Sequence, residues 1–446
     1  RLRCDWSSDV CSSDLMKLIL GMGLTGLSVA RFFKNQQVNY QIADSRQSPP
    51  LLDTFIAEGL AEDCQLGSWR ESLLEGVEEI IVSPGIAMSE EIVIWAKAKD
   101  ISLIGDIELF SRYADAPIIG ISGSNGKSTV TQLVGEMGIA AGKNAAICGN
   151  IGTPVMDALN DDVDLYIVEL SSYQLDYTNS LDLLAGLVLN ITPDHLDRYL
   201  SFEAYIASKI SLYQYCQNKV INLDESVTSG IVWDCCFGLE VHNQKCEFRV
   251  ETDQGITTFF NRSDTLFSSE SLKIVGKHNM SNILAALTLG YLAGLSNKAM
   301  VQAAIDFKGL PHRLEWVVNI DGVDFFNDSK STNANSTITA INALSEHYSS
   351  LVLIAGGIAK KEDYSVMFEL IGDKAEAVVL IGEAAESFAS SITNCVVEIA
   401  QSMEQALSIA KCYTANGAIL LSPACASFDM YEDFNARGED FKRLLA

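Results

Sequence analysis

From Met16 onward, short apolar runs closed by Gly, Ser, Asp or Glu alternate with longer stretches whose apolar residues recur every three or four positions. Runs apolar throughout suit strands buried on both faces, and their alternation with helical stretches is the pattern of a parallel α/β sheet. The pattern predicts strands at 17–20, 79–82, 117–121, 165–169, 186–189, 219–222, 350–354, 377–381 and 418–421. Glycine-rich strand ends at Gly21, Gly120 and Gly356 each open a new α/β unit. Breaks near 111–117 and at Leu310-Pro311 give domains 16–112, 113–310 and 311–446. Residues 233–271 read as a small β-rich, antiparallel excursion within the middle unit.

Length agrees: 446 residues suggest about three domains. Charge narrows the function. The formal net charge is −27, from 31 Lys+Arg against 58 Asp+Glu, which argues against a nucleic-acid coat. A small anion is not excluded, since a few placed cations and backbone amides can hold one. No run approaches the ~20 apolar residues that span a bilayer. Residues 1–15 lack the apolar centre of a signal peptide and carry a near-repeat, Ser7-Ser8-Asp9-Val10 and Ser12-Ser13-Asp14-Leu15. They are read as a non-native leader and set aside. Eleven cysteines show no paired Cys-x-x-Cys spacing. They are expected to be reduced and mostly buried, in a cytoplasmic chain, with Cys235 and Cys236 unbridged.

Two loops carry the candidate chemistry. Gly21-Met22-Gly23-Leu24-Thr25-Gly26 follows a strand and opens a helix, with Asp44 eighteen residues after Gly26. That context places a diphosphate on a helix N-terminus, and a nucleotide sugar fits it as well as a nicotinamide dinucleotide. Ser45 and Arg46 follow at the next strand end and could hold a nucleoside. The second loop, Gly120-Ile121-Ser122-Gly123-Ser124-Asn125-Gly126-Lys127-Ser128-Thr129, is a phosphate loop with its first glycine displaced from the usual register. Its amides would cradle phosphates, Lys127 would reach the β- and γ-phosphates, and Ser128 would ligate Mg²⁺. Downstream strands end in Glu169, a metal-holding carboxylate, and in Asp194-His195-Leu196-Asp197-Arg198, a rim of polar groups. Of five histidines, His195, His278 and His312 all fall in polar clusters.

Together these residues resemble the Mur ligase family, the ATP-dependent amino-acid-adding enzymes of peptidoglycan synthesis. The resemblance runs from Met16 to the C-terminus. It includes Ser83-Pro84-Gly85-Ile86, Cys148-Gly149-Asn150-Ile151-Gly152, Glu169-Leu170-Ser171-Ser172 and Gly276-Lys277-His278-Asn279 with Asn282. It continues through Leu310-Pro311-His312-Arg313, the segment from Asn327 to Asn333, and Ser422-Pro423-Ala424-Cys425-Ala426-Ser427. Within the family the chain looks most like the members that add D-glutamate to UDP-N-acetylmuramoyl-L-alanine.

The resemblance implies a Rossmann-like N-terminal domain, a central P-loop ATPase domain with a parallel sheet, and a Rossmann-like C-terminal domain. It implies that Gly123, Ser124, Asn125, Gly126, Lys127, Ser128 and Thr129 bind ATP, with Asn279, Asn282, Arg313 and Asp328. Ser128 and Glu169 would hold one Mg²⁺, and His195 with a carbamylated Lys209 a second. Leu24, Thr25, Ser45, Arg46 and Gly85 would hold the UDP substrate and Asn150 its muramoyl part. Lys330, Thr332, Lys360, Ser427 and Phe434 would receive D-glutamate. Lys127, Asn150, His195, Lys209 and Lys330 would form the catalytic group. One departure stands out: Ile358 and Ala359 occupy the stretch before Lys360 where the resemblance implies an acid.

The implied reaction joins a carboxylate to an amine through an acyl phosphate, with His195 or a substrate phosphate oxygen as base. The chain is expected to act as a monomer without nucleic-acid or membrane partners. Other readings are another Mur-type or folylpolyglutamate-type ligase, a nicotinamide oxidoreductase, or a noncatalytic nucleotide-binding regulator. The oxidoreductase leaves the Gly-Lys-Ser loop without a job, and the regulator has no need of His195 and Lys209.

Overall fold

The computed structural model describes residues 16–62, 64–193, 198–240, 246–274 and 276–446; His195 and residues 1–15 lie outside them. The first sheet contains β1 (Met16–Leu20), β2 (Tyr40–Asp44), β3 (Cys64–Leu66), β4 (Val77–Val82) and β5 (Ser102–Ile104). All are parallel, in the order β3-β2-β1-β4-β5. Helices α1 (Leu24–Asn35), α2 (Leu52–Ala57), α3 (Glu91–Ala98) and α4 (Asp106–Ser111) accompany it. The strand order reverses between β1 and β4, so the loops after them open at a topological switch point.

The second sheet is also parallel, in the order β11-β10-β9-β6-β8-β7. It is built from β6 (Ile118–Ser122), β7 (Ala145–Gly149), β8 (Leu165–Glu169), β9 (Ala185–Val188), β10 (Lys219–Asn222) and β11 (Cys235–Phe237). Every residue of β6 and β8 is buried, which is why both read as unbroken apolar runs. Helix α5 (Lys127–Ala140) turns Val130, Leu133, Val134 and Met137 inward, the i, i+3, i+4, i+7 stripe of a core-facing helix. Helices α6 (Ser172–Leu175) and α7 (Phe202–Ile210) follow β8 and β9.

Strands β12 (Phe248–Asp253), β13 (Ile256–Asn261) and β14 (Asp264–Ser268) form a separate antiparallel sheet. The predicted excursion starts too early, since β11 joins the second sheet parallel to β10, and residues 248–284 sort by contacts away from that sheet's unit. After α8 (Lys277–Leu292) and α9 (Asn297–Asp306) comes the last sheet. Its strands are β15 (Glu315–Ile320), β16 (Val323–Asn327), β17 (Leu351–Gly356), β18 (Ala377–Ile381), β19 (Val396–Ile399) and β20 (Gly417–Leu421). They run β15-β16-β20-β17-β18-β19, parallel except for the β15–β16 hairpin. Helices α10 (Ala334–Ser345), α11 (Ser365–Lys374), α12 (Ala385–Ala389), α13 (Met403–Ala410) and α14 (Phe434–Arg443) complete it.

Contacts sort the described chain into two units. One holds residues 16–237, 246–247 and 285–300; the other holds 238–240, 248–284 and 301–446. Within the first unit, α4 is fastened to the chain around α6. Gln174 Nε2 donates to Asp106 Oδ2 at 3.2 Å, and the Asn179 and Ser180 amides donate to Glu108 at 2.8 Å. Among the described residues no helix is long and apolar enough to cross a membrane. Two cysteine expectations are corrected. Among the described cysteines only Cys148, Cys236, Cys246 and Cys425 are buried. Cys235 stays free and unbridged to Cys236, but Cys236 and Cys246, with Cα atoms 5.2 Å apart, form a disulfide. Strand β11 and the residues just before β12 bring the two together, which cysteine spacing alone does not reveal.

Candidate active site

The first glycine loop folds as the sequence predicts. A Cβ on Gly26 would collide with the Gly21 carbonyl oxygen, so only glycine lets α1 start this close to β1. Asp44 ends β2, and its Oδ2 accepts the Met22 amide at 2.8 Å. The Arg46 amide and Nε reach Oδ1 at 2.9 and 2.8 Å, and Nη2 reaches Oδ2 at 2.6 Å. Burial pushes this carboxyl up, but the Arg46 guanidinium and the two amides hold it below the usual carboxylate range. Leu24, Thr25, Ser45, Arg46 and Gly85 lie in the segments that follow the adjacent strands β1, β2 and β4.

The phosphate loop joins β6 to α5, where the first-turn amides and helix dipole suit an anion. It is braced from β9: the Ser124 amide donates to the Asn190 carbonyl and the Asn125 amide to Asn190 Oδ1, both at 2.8 Å. Lys127 Nζ donates to the carbonyls of Gly123 and Ser124 at 2.8 and 3.0 Å, while Ser128 and Thr129 are buried in the first turn of α5.

Beside the loop, Glu169 on β8 pairs in register with Ile121 on β6. Asn150 Nδ2 donates to Glu169 Oε1 at 2.8 Å. Its Oε2 is buried without a hydrogen-bond partner among the described residues. An orphaned carboxylate oxygen is costly inside a protein unless a cation meets it, so Glu169 fits a divalent metal.

Lys209, by default an exposed helix lysine, is instead buried at 2% exposure. Its Nζ donates to the Gly123 carbonyl at 2.8 Å and sits 4.8 Å from the centre of the Tyr205 ring. Thus Lys127, Lys209, Glu169 and Asn150 gather around the phosphate loop, with Ser128 opening α5. His195 lies outside the described residues.

In the second unit, Asn282 Nδ2 donates to Asn279 Oδ1 at 3.3 Å on α8. Asp328 follows β16 and accepts the Leu314 amide at 3.0 Å and the hydroxyls of Ser331 and Ser422 at 2.6 and 2.8 Å. Burial pushes its carboxyl up to about 6. Arg313 sits between His312 and Leu314, both in the left-handed region at φ 62° and 46°. The Lys330 ammonium lies 3.7 Å from the centre of the Phe434 ring. Ile358 and Ala426 exchange backbone hydrogen bonds at 2.9 and 3.0 Å, tying the segment before Lys360 to that before Ser427. Because β16, β20 and β17 are neighbours, Asp328, Lys330, Thr332, Lys360, Ser427 and Phe434 belong to segments at one end of this sheet.

Two supporting residues escaped sequence reasoning. Arg437 on α14 is 1% exposed; its Nε and Nη2 donate to the Ser329 hydroxyl and carbonyl at 3.0 and 2.8 Å. Both Nη atoms donate to the Cys425 carbonyl at 3.1 Å, so one guanidinium pins the segments holding Lys330 and Ser427. Burial pushes it down to about 10. Nothing in its spacing marks it. Asn190 stood at a strand end, and that placement was the available signal.

Three family models match in chain order. They are the Mur ligase MurD-like N-terminal domain over residues 16–105, the Mur ligase middle domain over 121–290, and the Mur ligase glutamate ligase domain over 312–425. The chain is 43% identical over 442 residues to the UDP-N-acetylmuramoylalanine–D-glutamate ligase of Marinobacter nauticus, covering 98% of this chain and 99% of that one. The protein of that name from Nitrosococcus oceani is 41% identical, with 96% of each chain covered. Among solved structures, a pseudomurein peptide ligase type C from Methanothermus fervidus superposes with a TM-score of 0.62 at 16% identity. That match covers 96% of this chain and 99% of the other, a likeness of fold.

Proposed function

Because the chain belongs to the Mur ligase family, we propose that it uses ATP to add D-glutamate to UDP-N-acetylmuramoyl-L-alanine. The products are the extended nucleotide peptide, ADP and phosphate, and the reaction makes a peptidoglycan precursor. The observation that carries this reading is the braced phosphate loop beside Glu169, whose Oε2 has no partner among the described residues. A phosphate cradle with a metal-ready carboxylate is a phosphoryl-transfer site, for which a nicotinamide enzyme has no use. The near-full-length similarity to D-glutamate ligases selects the substrates.

We assign the UDP substrate to residues 16–112, ATP to 113–310 and D-glutamate to 311–446. Leu24, Thr25, Ser45, Arg46 and Gly85 take the UDP end. Lys127 moves its ammonium from the loop carbonyls to the γ-phosphate, while Asn279, Asn282, Arg313 and Asp328 contribute to the nucleotide site. An L-alanyl carboxylate oxygen attacks the γ-phosphorus, the bond to the bridging oxygen breaks, and ADP leaves. The D-glutamate amine, held through Lys330, Thr332, Lys360, Ser427 and Phe434, attacks the acyl carbon. Phosphate departs and the amine proton passes to a base.

Ser128, Glu169, His195 and a carbamylated Lys209 are the residues that would hold two Mg²⁺ ions. Bound there, Mg²⁺ offsets charge on the transferring phosphoryl group. Addition of CO₂ to the buried Lys209 amine, with loss of a proton, would turn it into an oxygen-bearing ligand. With these substrates the chain acts as a cytoplasmic monomer without a nucleic-acid or membrane partner, and its net charge of −27 suits that reading. The test is phosphate release with UDP-N-acetylmuramoyl-L-alanine and ATP, offering D-Glu, L-Glu, L-Ala and meso-diaminopimelate in turn. Release with D-Glu alone is expected. Release with another amino acid and none with D-Glu overturns the assignment.

A further inference from the structure

The loop after β4 is the wall of the first glycine turn. The Ser83 amide donates to the Leu20 carbonyl at 3.0 Å, and the Ile86 amide closes a turn on the Ser83 carbonyl at 2.9 Å. A Cβ on Gly21 would come within 2.8 Å of Ser83 Oγ and 3.5 Å of Ile86 Cδ1. Any shift of this loop therefore reshapes the crevice assigned to the UDP substrate.

Its outward carbonyl is held from the phosphate-loop side of the same unit. Arg198 Nη2 donates to the Ile86 carbonyl at 2.8 Å, and the Tyr177 hydroxyl donates to it at 3.3 Å. The Arg198 guanidinium carbon lies 3.8 Å from the centre of the Tyr173 ring. Tyr173 stacks on Tyr199 with centroids 6.1 Å apart, and Tyr199 packs on Tyr205 at 5.4 Å. The Tyr205 hydroxyl is 3.2 Å from Ser124 Oγ in the phosphate loop. Tyr199 is fixed in turn by its hydroxyl, which donates to Asp176 at 2.9 Å. A continuous file of packed groups thus runs from Ile86 to the phosphate loop.

We propose that Arg198 is a positioning residue: stacked on Tyr173, it fastens the Ser83–Ile86 loop to the phosphate-loop sheet. It thereby sets the UDP substrate's reach toward the transferred phosphate. The inference rests on the ligase reading and extends it. Arginine suits the task because its planar fork stacks and donates at once, whereas a lysine ammonium offers a point charge without a stacking face. Arg198 touches neither reacting atom in this assignment. It acts through Ile86, and small misplacements of a bound group can cost a large factor in rate.

The experiment compares wild type with Arg198→Ala, Arg198→Lys, Tyr173→Leu and Tyr173→Phe. Hydrogen exchange of the ligand-free chain should accelerate in the peptide covering 83–90 for Arg198→Ala, Arg198→Lys and Tyr173→Leu. Exchange in β1 and β2 should stay at wild-type rates, and Tyr173→Phe, which keeps the ring, should leave 83–90 far closer to wild type than Tyr173→Leu does. In turnover, Arg198→Ala should raise KM for UDP-N-acetylmuramoyl-L-alanine about tenfold, with KM for ATP moving less than about twofold. If Arg198→Ala does not fold, Arg198→Lys and Tyr173→Leu give the same reading. Wild-type exchange at 83–90 in these variants overturns the proposal, as does an equal rise in both KM values. Altered exchange in a chain whose wild type shows no D-Glu-dependent phosphate release overturns the ligase reading and leaves the Arg198 contact standing.

Discussion

At the scale of single residues, Glu169 has one oxygen satisfied by Asn150 and one satisfied by nothing described. Replacing it with Gln keeps the shape and removes the charge. Glu169→Gln should fold with a melting temperature within a few degrees of wild type and lose at least about a hundredfold in kcat. The check is phosphate release beside a melting curve with and without Mg²⁺ and ATP, whose added protection should vanish in the variant. Asp106 makes a second, independent prediction. Burial pushes its carboxyl up to about 6, from 3.8 in an unfolded chain. Between those values the folded protein binds more protons than the unfolded one, so raising the pH from about 4 to 6 weakens the fold. Asp106→Asn removes that slope. The difference between wild type and variant, read from urea midpoints at pH 4.5 to 7, should change by roughly 2 kcal/mol. The phosphate-loop residues could be read from sequence because their roles sit within ten consecutive positions. The burial of Lys209 and the bracing by Asn190 and Arg437 could not, since each depends on partners 65 to 108 residues away.

Elements show the same division. Strands β6, β8, β17, β18 and β20 are buried along their whole length, so unbroken apolar runs announce them. Strands β3 and β5 are three residues long, and β15 and β16 form an antiparallel hairpin whose outer strand is only part-buried. Neither kind leaves such a run. What sequence pattern could not supply is how neighbouring strand ends are stitched. Gly357 does this at the end of the last sheet that leads to Lys360 and Ser427, at φ 128° and against the Ala426 carbonyl oxygen that a Cβ would strike. Gly357→Ala should therefore part the Ile358–Ala426 pairing and displace Lys360 relative to Ser427. Expected are a melting temperature several degrees lower and a KM for D-glutamate raised at least about tenfold, with KM for ATP little changed. Equal effects on both substrates would place the damage elsewhere.

For the whole molecule, the charge of −27 and a chemistry of phosphates and carboxylates are reconciled by where the cations sit. Lys127 and Lys209 gather at the phosphate loop, and Lys330 and Lys360 belong to segments at one end of the last sheet, while the acidic excess is spread along the chain. The first two lie in one contact unit and the other two in the second, so the two half-reactions should be separable by mutation. On the proposed assignment, acyl-phosphate formation needs the phosphate loop, whereas amide formation also needs the groups assigned to D-glutamate. Without D-glutamate, borohydride should trap the acyl phosphate as the reduced alcohol in wild type and in Lys330→Ala at comparable yield. Lys127→Ala should give at least about a hundredfold less, since it removes charge stabilisation at the transferred group. With D-glutamate present and borohydride omitted, Lys330→Ala should fail to convert the acyl phosphate to amide at D-glutamate concentrations that suffice for wild type. If Lys330→Ala also abolished trapping, Lys330 would belong to the phosphoryl-transfer step, and its assignment to the amino acid would have to be given up.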